Sequence, residues 1–78
     1  MRSRTKIEIR NKARLIHCLA AILEYDAENL KNDANLCHPD DLFRTIRDTK
    51  DTLQNIADTV TEIEYELYLD SRNKHVPL

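Results

Sequence analysis

Apolar residues recur at every seventh position in two long segments of this 78-residue chain. The first segment carries a series of large aliphatic residues and, four positions after each, an alanine: Ile9, Ile16, Leu23 and Leu30 with Ala13, Ala20, Ala27 and Ala34. The second segment carries two interleaved series: Leu42, Thr49, Ile56 and Ile63 with Ile46, Leu53, Val60 and Leu67. Alternating steps of three and four residues are typical of helices that pack as a coiled coil. The pattern predicts two long helices in contact along these series, with the alanines permitting a close approach of the helix axes.

A break at residues 34–38 separates the two segments and predicts the loop of a hairpin. Pro39 is favoured in the first turn of a helix, and the two acidic residues that follow it complement the helix dipole. We therefore expect the second helix over about 39–71, followed by a flexible tail at 72–78. Because the loop is short, the two helices should lie antiparallel.

The first helix is expected over about 5–33. Thr5 and Glu8 have the spacing of a capping box, in which each side chain accepts a hydrogen bond from the other residue's backbone N–H. The prediction is a single all-α domain over 1–78, a coiled-coil-like antiparallel two-helix hairpin. Since a chain this small buries little apolar surface alone, we expect the hairpin to complete a four-helix bundle, by dimerisation or by binding a partner protein.

Composition narrows the possible functions. Hydrophobic residues make up 41% of the chain and charged residues 33%, a balance found in soluble folded proteins rather than disordered ones. The chain contains no glycine, the residue that tight left-handed turns and phosphate-cradling loops need. The longest apolar run, residues 15–23, is far shorter than the roughly 20 residues that cross a bilayer. Because the basic N-terminus also lacks the apolar core of a signal peptide, we expect a cytoplasmic protein that does not bind membranes.

Charge is distributed unevenly along the chain. Residues 1–14 hold six basic side chains and one acidic side chain, although the whole chain has a net charge of −2. A hairpin brings this basic start close to the acidic end of the second helix, and the favoured interpretation is an electrostatic clasp between the two. The alternative is a patch that binds nucleic acid or an acidic partner, formed by Arg2, Arg4, Lys6, Arg10 and Arg14. Nucleic acid is the second choice because no aromatic residue is interleaved with the basic ones.

Other apolar residues lie outside the heptad series. In the middle of the first segment they make the helix apolar almost all round, so one neighbouring helix cannot cover it. A second group near the end of the second helix includes two tyrosines, which are enriched at protein interfaces. We predict a partner interface, with a second copy or another protein, at Leu15, Cys18, Leu19, Ile22, Tyr25, Tyr65, Tyr68 and Leu69. The alternative is a monomer in which residues 72–78 cover part of this surface.

Signals for catalysis or metal binding are weak. Cys18 adjoins His17, and Cys37 adjoins His38, but neighbouring side chains on a helix point about 100° apart. Neither pair, with or without His75, has the spacing of structural zinc ligands, and the distance between the cysteines along the chain argues against a disulfide. The sequence also lacks a Gly-rich loop and a nucleophile elbow. We therefore predict no catalytic residue, no metal and no cofactor.

Three threonines, Thr45, Thr52 and Thr59, also recur every seven residues beside the series of the second helix. Small β-branched residues could permit another helix to approach closely. Such threonines are more often tolerated at half-exposed positions of a helix, and this is the arrangement we expect.

The plan of the chain resembles known groups of small helical proteins. A short hairpin with Pro39 opening the second helix, and with Tyr65 and Tyr68 near its end, looks like the small co-chaperones of type III secretion needle subunits. It is also similar to many small phage and plasmid regulators. The resemblance concerns architecture, and no functional residue is transferred from it. We expect a non-enzymatic interaction module (an adaptor, co-chaperone or inhibitor), or alternatively a small dimeric DNA-associated regulator.

Overall fold

The protein is built from two long helices. The computed structural model describes residues 1–36 and 39–74, with only the backbone described at residues 73 and 74. Helix α1 spans Ser3–Leu36 and helix α2 spans Pro39–Lys74. Both are longer than expected, and no strand occurs within the described ranges. The prediction of an all-α hairpin is confirmed.

The two helices pack antiparallel over most of their length. Thr5 is hydrogen-bonded to Asp70 near the open end of the hairpin, and Thr45 to Asp33 near the turn. The molecule measures 64 × 16 × 11 Å and has a radius of gyration of 18.0 Å, whereas a compact globule of this length would have about 11–12 Å. It is therefore a single layer in which each helix has one neighbour. Within the described residues, neither helix is long and apolar enough to cross a membrane.

The start of α1 is capped from the other helix. The backbone N–H of Arg2 and the hydroxyl of Thr5 both donate to Oδ1 of Asp70, each at 3.0 Å. The carbonyl of Arg2 accepts the first intrahelical bond, from the N–H of Lys6 at 3.1 Å. The capping box predicted for Thr5 and Glu8 is therefore wrong, because Thr5 lies inside the first turn and its hydroxyl serves as a donor to α2.

The turn and the C-terminal end differ in extent from the expectation. Residues 34–36 of the expected loop belong to α1, and residues 37 and 38 lie outside the described residues. Helix α2 begins at Pro39 and continues into the expected tail as far as Lys74. The remainder of that tail, residues 75–78, lies outside the described residues. The possible metal ligands Cys37, His38 and His75 therefore also lie outside them.

The line of contact between the helices differs from the predicted one. In each helix one predicted series is half-buried, namely Ile9, Ile16, Leu23 and Leu30 in α1, and Leu42, Thr49, Ile56 and Ile63 in α2. The second series in contact is polar except for Leu19: Thr5, Lys12, Leu19, Asp26 and Asp33 lie on α1, and Thr45, Thr52, Thr59 and Glu66 lie on α2. The prediction that the alanines and the Ile46–Leu67 series pack between the helices is wrong, since all eight of these residues are exposed: Ala13, Ala20, Ala27, Ala34, Ile46, Leu53, Val60 and Leu67.

Periodicity could not separate these two arrangements. Starting from Ile9, the second series can follow three residues later at Lys12 or four residues later at Ala13, and both choices alternate steps of three and four. Hydrogen bonds between the helices favour the first choice, because the polar series contains complementary donors and acceptors. The more hydrophobic alternatives, the Ala13–Ala34 series of α1 and the Ile46–Leu67 series of α2, are left on the outside.

The threonine series is buried rather than half-exposed. Thr45, Thr52 and Thr59 retain only 4–9% of their exposure and are among the most buried residues described. Each hydroxyl also lies within hydrogen-bond distance of a backbone carbonyl one turn earlier, such as Asn55 for Thr59 at 2.8 Å. Because each hydroxyl has an acceptor within reach, a carboxylate of α1 or the carbonyl one turn earlier, the threonines can be buried at low cost. The expectation that these threonines are half-exposed is therefore wrong.

The part of the hairpin that the structure describes contains no apolar core. Among the described residues no hydrophobic side chain is buried, and all the buried side chains are polar or charged: Thr5, Asp26, Thr45, Thr52, Thr59 and Asp70. Burial of apolar surface is the main force that stabilises a fold. The two helices therefore leave most of their hydrophobic surface available for further packing.

Candidate protein-interaction face

One broad side of the hairpin is apolar along most of its length, and we call it the apolar face. It is formed by four parallel series of residues: Ile9, Ile16, Leu23 and Leu30; Ala13, Ala20, Ala27 and Ala34; Leu42, Thr49, Ile56 and Ile63; and Ile46, Leu53, Val60 and Leu67. In an antiparallel pair, the residues that follow each half-buried series by four positions lie on the same side of both helices. At the turn end this is visible directly, because Ala34, Leu42 and Ile46 line one shallow apolar depression.

The outer edge of this face on α2 is accessible to solvent along its length. Ile46, Leu53, Val60 and Leu67 remain 39–49% exposed, and Phe43 beside them is 71% exposed. Each such aliphatic side chain gains roughly 1.5–3 kcal/mol when it moves from full exposure to full burial. A contiguous apolar surface of this length is the usual mark of a protein-interaction site.

The opposite side of the hairpin, which we call the polar side, holds the contacts between the helices. Thr52 donates to Oδ2 of Asp26 at 2.8 Å, and Thr45 donates to Oδ2 of Asp33. A depression at the turn end of this side is lined entirely by polar and charged residues: Asn29, Asp33, Asp41, Arg44, Thr45 and Asp48. The two sides of the hairpin therefore differ sharply in chemistry, and only one can pack against a large apolar surface.

Comparisons of the chain with known protein families, sequences and structures identify no relative. No family model, curated protein or solved structure matches the chain.

Ion pairs tie the basic start of α1 to the acidic end of α2. Nζ of Lys12 lies 3.1 Å from Oε2 of Glu62, and Nε of Arg2 lies 3.8 Å from Oδ1 of Asp70. The hydrogen bond to Glu62 raises the pKa of Lys12 above its ordinary value, and the neighbouring carboxylates of Glu8 and Glu66 add to this shift, although partial burial opposes it.

The rest of the predicted basic patch stands apart from this clasp. Arg4, Lys6, Arg10 and Arg14 are exposed and form no ion pair with a residue of the described ranges. Arg2 is the only member of the patch that meets a carboxylate there, and Lys12, which lies outside the predicted patch, supplies the second ion pair. These four side chains are therefore available to a negatively charged partner.

The residues predicted to form the partner interface lie away from the apolar face. Leu15 and Ile22 flank the contact line on the polar side, and Leu15 lines a shallow depression there together with Leu19 and Thr59. Exposure is 48% for Leu15 and 49% for Ile22, whereas Leu19 is half-buried between the helices.

The remaining members of that predicted interface are also accessible. Tyr25 is 67% exposed, and Cys18 is exposed with a free thiol. Near the end of α2, Tyr65 and Tyr68 are exposed and Leu69 is half-buried. The structure thus offers a second, smaller apolar area around Leu15 and Ile22, on the side opposite the apolar face.

Sequence reasoning missed the apolar face because it assigned the same residues to the contact between the helices. The signal that could have found it is the matched polar series, in which aspartates of α1 and threonines of α2 share one seven-residue spacing. Asp26 and Asp33 differ by seven, as do Thr45 and Thr52, so one antiparallel register pairs both sets. Among the described residues, no group of three His, Cys, Asp or Glu side chains is arranged to hold a metal ion.

Proposed function

We propose that this chain is a small, non-enzymatic protein–protein interaction module that works by burying its apolar face against another helical surface. Within this class it would serve as an adaptor, a co-chaperone or an inhibitor. The observation that supports the proposal is the exposure of a full-length aliphatic edge, Ile46, Leu53, Val60 and Leu67, on a hairpin with no buried hydrophobic side chain in its described residues.

Energetics supports association rather than a self-sufficient monomer. A fold of this size stabilises itself only marginally even with a proper core, and here the contact between the helices is partly polar. A partner that covers the apolar face stabilises the folded hairpin in proportion to its concentration and affinity. Folding and function would then share one surface. The exposed thiol of Cys18 suits a reducing compartment, and we include a cytoplasmic location in the proposal.

Two leucines provide a matched test of this surface. Leu53 on the apolar face and Leu15 on the polar side are 49% and 48% exposed, so replacing either by glutamate disturbs the isolated hairpin similarly. The immobilised wild-type chain, Leu53→Glu and Leu15→Glu are each incubated with an extract of the source organism and with labelled free chain, and retained proteins are quantified.

We expect a protein retained by the wild type and by Leu15→Glu to be absent from Leu53→Glu. Equal retention by all three would refute the proposal. Loss on Leu15→Glu alone would move the working surface to the residues around Leu15 and Ile22. Far-UV circular dichroism of each variant shows whether its helices are formed under the assay conditions.

A second candidate function is a small DNA-associated regulator. The observation in its favour is that Arg4, Lys6, Arg10 and Arg14 are exposed without an ion pair among the described residues. Phosphate contacts of this kind weaken steeply as salt concentration rises. A salt-dependent mobility shift on DNA that disappears in the double variant Arg10→Glu/Arg14→Glu would establish this function, and the absence of any shift at low salt would exclude it.

A further inference from the structure

We infer that the partner on the apolar face is a second copy of this chain, and that two hairpins form a four-helix bundle about a two-fold axis parallel to their long axis. This inference rests on the proposed function, since it names the occupant of the same face. It adds a specific packing: the alanine edge of each copy lies against the aliphatic edge of the other.

The register of the hairpin, meaning which residues of α1 lie beside which residues of α2, supports this packing. The bonds Asp26–Thr52 and Asp33–Thr45 fix which residues of α1 and α2 lie at the same height along the long axis. Following the seven-residue repeat, this register pairs Ala13 with Leu67 and Ala20 with Val60, and beside the two bonds it sets Ala27 and Leu53, and then Ala34 and Ile46, about 3 Å apart along the long axis. The last of these pairs borders a single depression at the turn end, in agreement with the register.

Within one hairpin these paired residues cannot fill each other's space, because they lie on opposite edges of the apolar face. A rotation by 180° about the long axis keeps every residue at its height and exchanges the two edges. The small side chain of Ala20 in one copy then lies against the edge that carries the large side chain of Val60 in the other, and each of the other alanines is placed in the same way. Large residues opposite small ones give the dense packing that helical cores require.

The other symmetric way to stack two hairpins fits less well. A two-fold axis perpendicular to the long axis, in the plane of the interface, would set α1 on α1 and α2 on α2. Alanines would then face alanines along one edge, and Leu53 and Val60 would face large aliphatic residues along the other. The two hairpins would meet at one edge and be held apart at the other, so the apolar face would close incompletely.

The size of the face suits a stable homodimer. The four series span 26 residues of each helix, or about 39 Å, and with a width of 16 Å they give an interface of about 600 Å² per copy, which for two copies reaches the lower end of the roughly 1,200–2,000 Å² that stable complexes bury. Its composition is almost wholly aliphatic, as in obligate dimers that resemble a domain core cut in half. A second copy offers the same length and the complementary edge, which makes it a sufficient partner.

Mass and distance measurements test the inference together. Light scattering after size exclusion should give twice the 9.2 kDa chain mass for the wild type and for Leu15→Glu, and the monomer mass for Leu53→Glu. For the distance, a spin label is placed on Asn35→Cys, in a chain whose Cys18 and Cys37 are replaced by serine. An axis parallel to the hairpin brings the two labels at the turn ends to within about 30 Å, given helix spacings of about 10 Å. The perpendicular axis would separate them by about 50 Å or more, given the rise of about 1.5 Å per residue.

The outcomes separate this inference from the proposed function. A dimer that Leu53→Glu dissociates, with labels near 30 Å apart, supports the inference. A wild type that stays monomeric at every concentration overturns it, while the proposed function stands if Leu53→Glu still abolishes retention of another protein. A dimer that Leu53→Glu leaves intact overturns the inference, and it overturns the proposed function as well if Leu53→Glu also retains every protein that the wild type retains; a label distance near 50 Å overturns the parallel axis. The distance measurement alters no residue of the apolar face, so it holds even if Leu53→Glu fails to fold.

Discussion

The Thr52 hydroxyl donates a hydrogen bond of 2.8 Å to Oδ2 of Asp26, and this bond joins the two helices near the middle of the hairpin. Both residues are buried, at 7% and 8% exposure. A carboxylate in such a place is costly unless it is hydrogen-bonded, and a polar residue in a coiled-coil contact fixes the register at some expense of stability. The bond therefore selects which sides of the helices meet, and in doing so it leaves the more hydrophobic series free for association.

Replacing Thr52 by valine keeps the shape of the side chain and removes the donor. The Asp26 carboxylate is then left buried with one hydrogen bond fewer, so we expect the free energy of unfolding to fall by about 1–3 kcal/mol in urea titrations at fixed protein concentration. Thr61→Val is the matched control, because Thr61 is exposed and its hydroxyl bonds only the carbonyl of Ala57 at 3.0 Å. Equal stability of the two variants would contradict a role for the Asp26 bond.

Asp70 should hold the first turn of α1 in place. It accepts both the backbone N–H of Arg2 and the hydroxyl of Thr5, so Asp70→Ala removes a cap and leaves two donors without this acceptor. We expect the free energy of unfolding to fall by about 1–2 kcal/mol. Relative to the wild type, amide hydrogen exchange should become faster at residues 3–6 and change less in the middle of α1. Asp70→Asn keeps one acceptor oxygen and should show a smaller effect. Unchanged exchange at residues 3–6 in Asp70→Ala would show that the cap is not needed.

The ion pair between Lys12 and Glu62 predicts a particular pH dependence. Because the pKa of Lys12 is raised in the folded state, its contribution to stability is fully present below about pH 10.5 and is lost as the pH rises above that value. The difference in free energy of unfolding between the wild type and Lys12→Met should therefore shrink when unfolding is measured at a series of pH values that rises from about 9 to above 10.5. Lys50→Met serves as control, because Lys50 is exposed and forms no ion pair among the described residues. A difference for Lys12→Met that stays constant through this range would contradict the assignment.

The proposed packing of two copies predicts a compensating pair of substitutions. Ala20→Leu fills the space that Val60 of the other copy would occupy, and overpacking of this kind costs about 1–3 kcal/mol, which corresponds to about a 5- to 150-fold increase in the dimer dissociation constant. The double variant Ala20→Leu/Val60→Ala exchanges large and small residues and should recover most of the affinity in sedimentation equilibrium. Ala21→Leu, on the exposed outer surface of α1, should have little effect. Independent effects of the two substitutions would argue against contact between these residues.

Sequence reasoning predicted the hairpin and one correct series in each helix, because a strict seven-residue repeat constrains which side of a helix is buried. It misplaced the second series, since Lys12 and Ala13 satisfy the same periodicity and the apolar choice was preferred. Threonine looked suited to half-exposed positions, but Thr52 is buried because its hydroxyl donates to Asp26 on the other helix. Such pairing across helices depends on register, and a pattern read along one helix does not contain it.

The dependence of unfolding on protein concentration shows whether this chain completes its fold by covering the apolar face with a second copy. Urea unfolding of the wild type, Leu15→Glu and Leu53→Glu is followed by circular dichroism over a hundredfold range of concentration. For a dimer that unfolds to monomers, each tenfold increase stabilises the folded state by about 1.4 kcal/mol, so the midpoints of the wild type and Leu15→Glu should rise steadily. The midpoint of Leu53→Glu should be lower and independent of concentration. A wild-type midpoint that is independent of concentration and equal to that of Leu53→Glu would contradict the account.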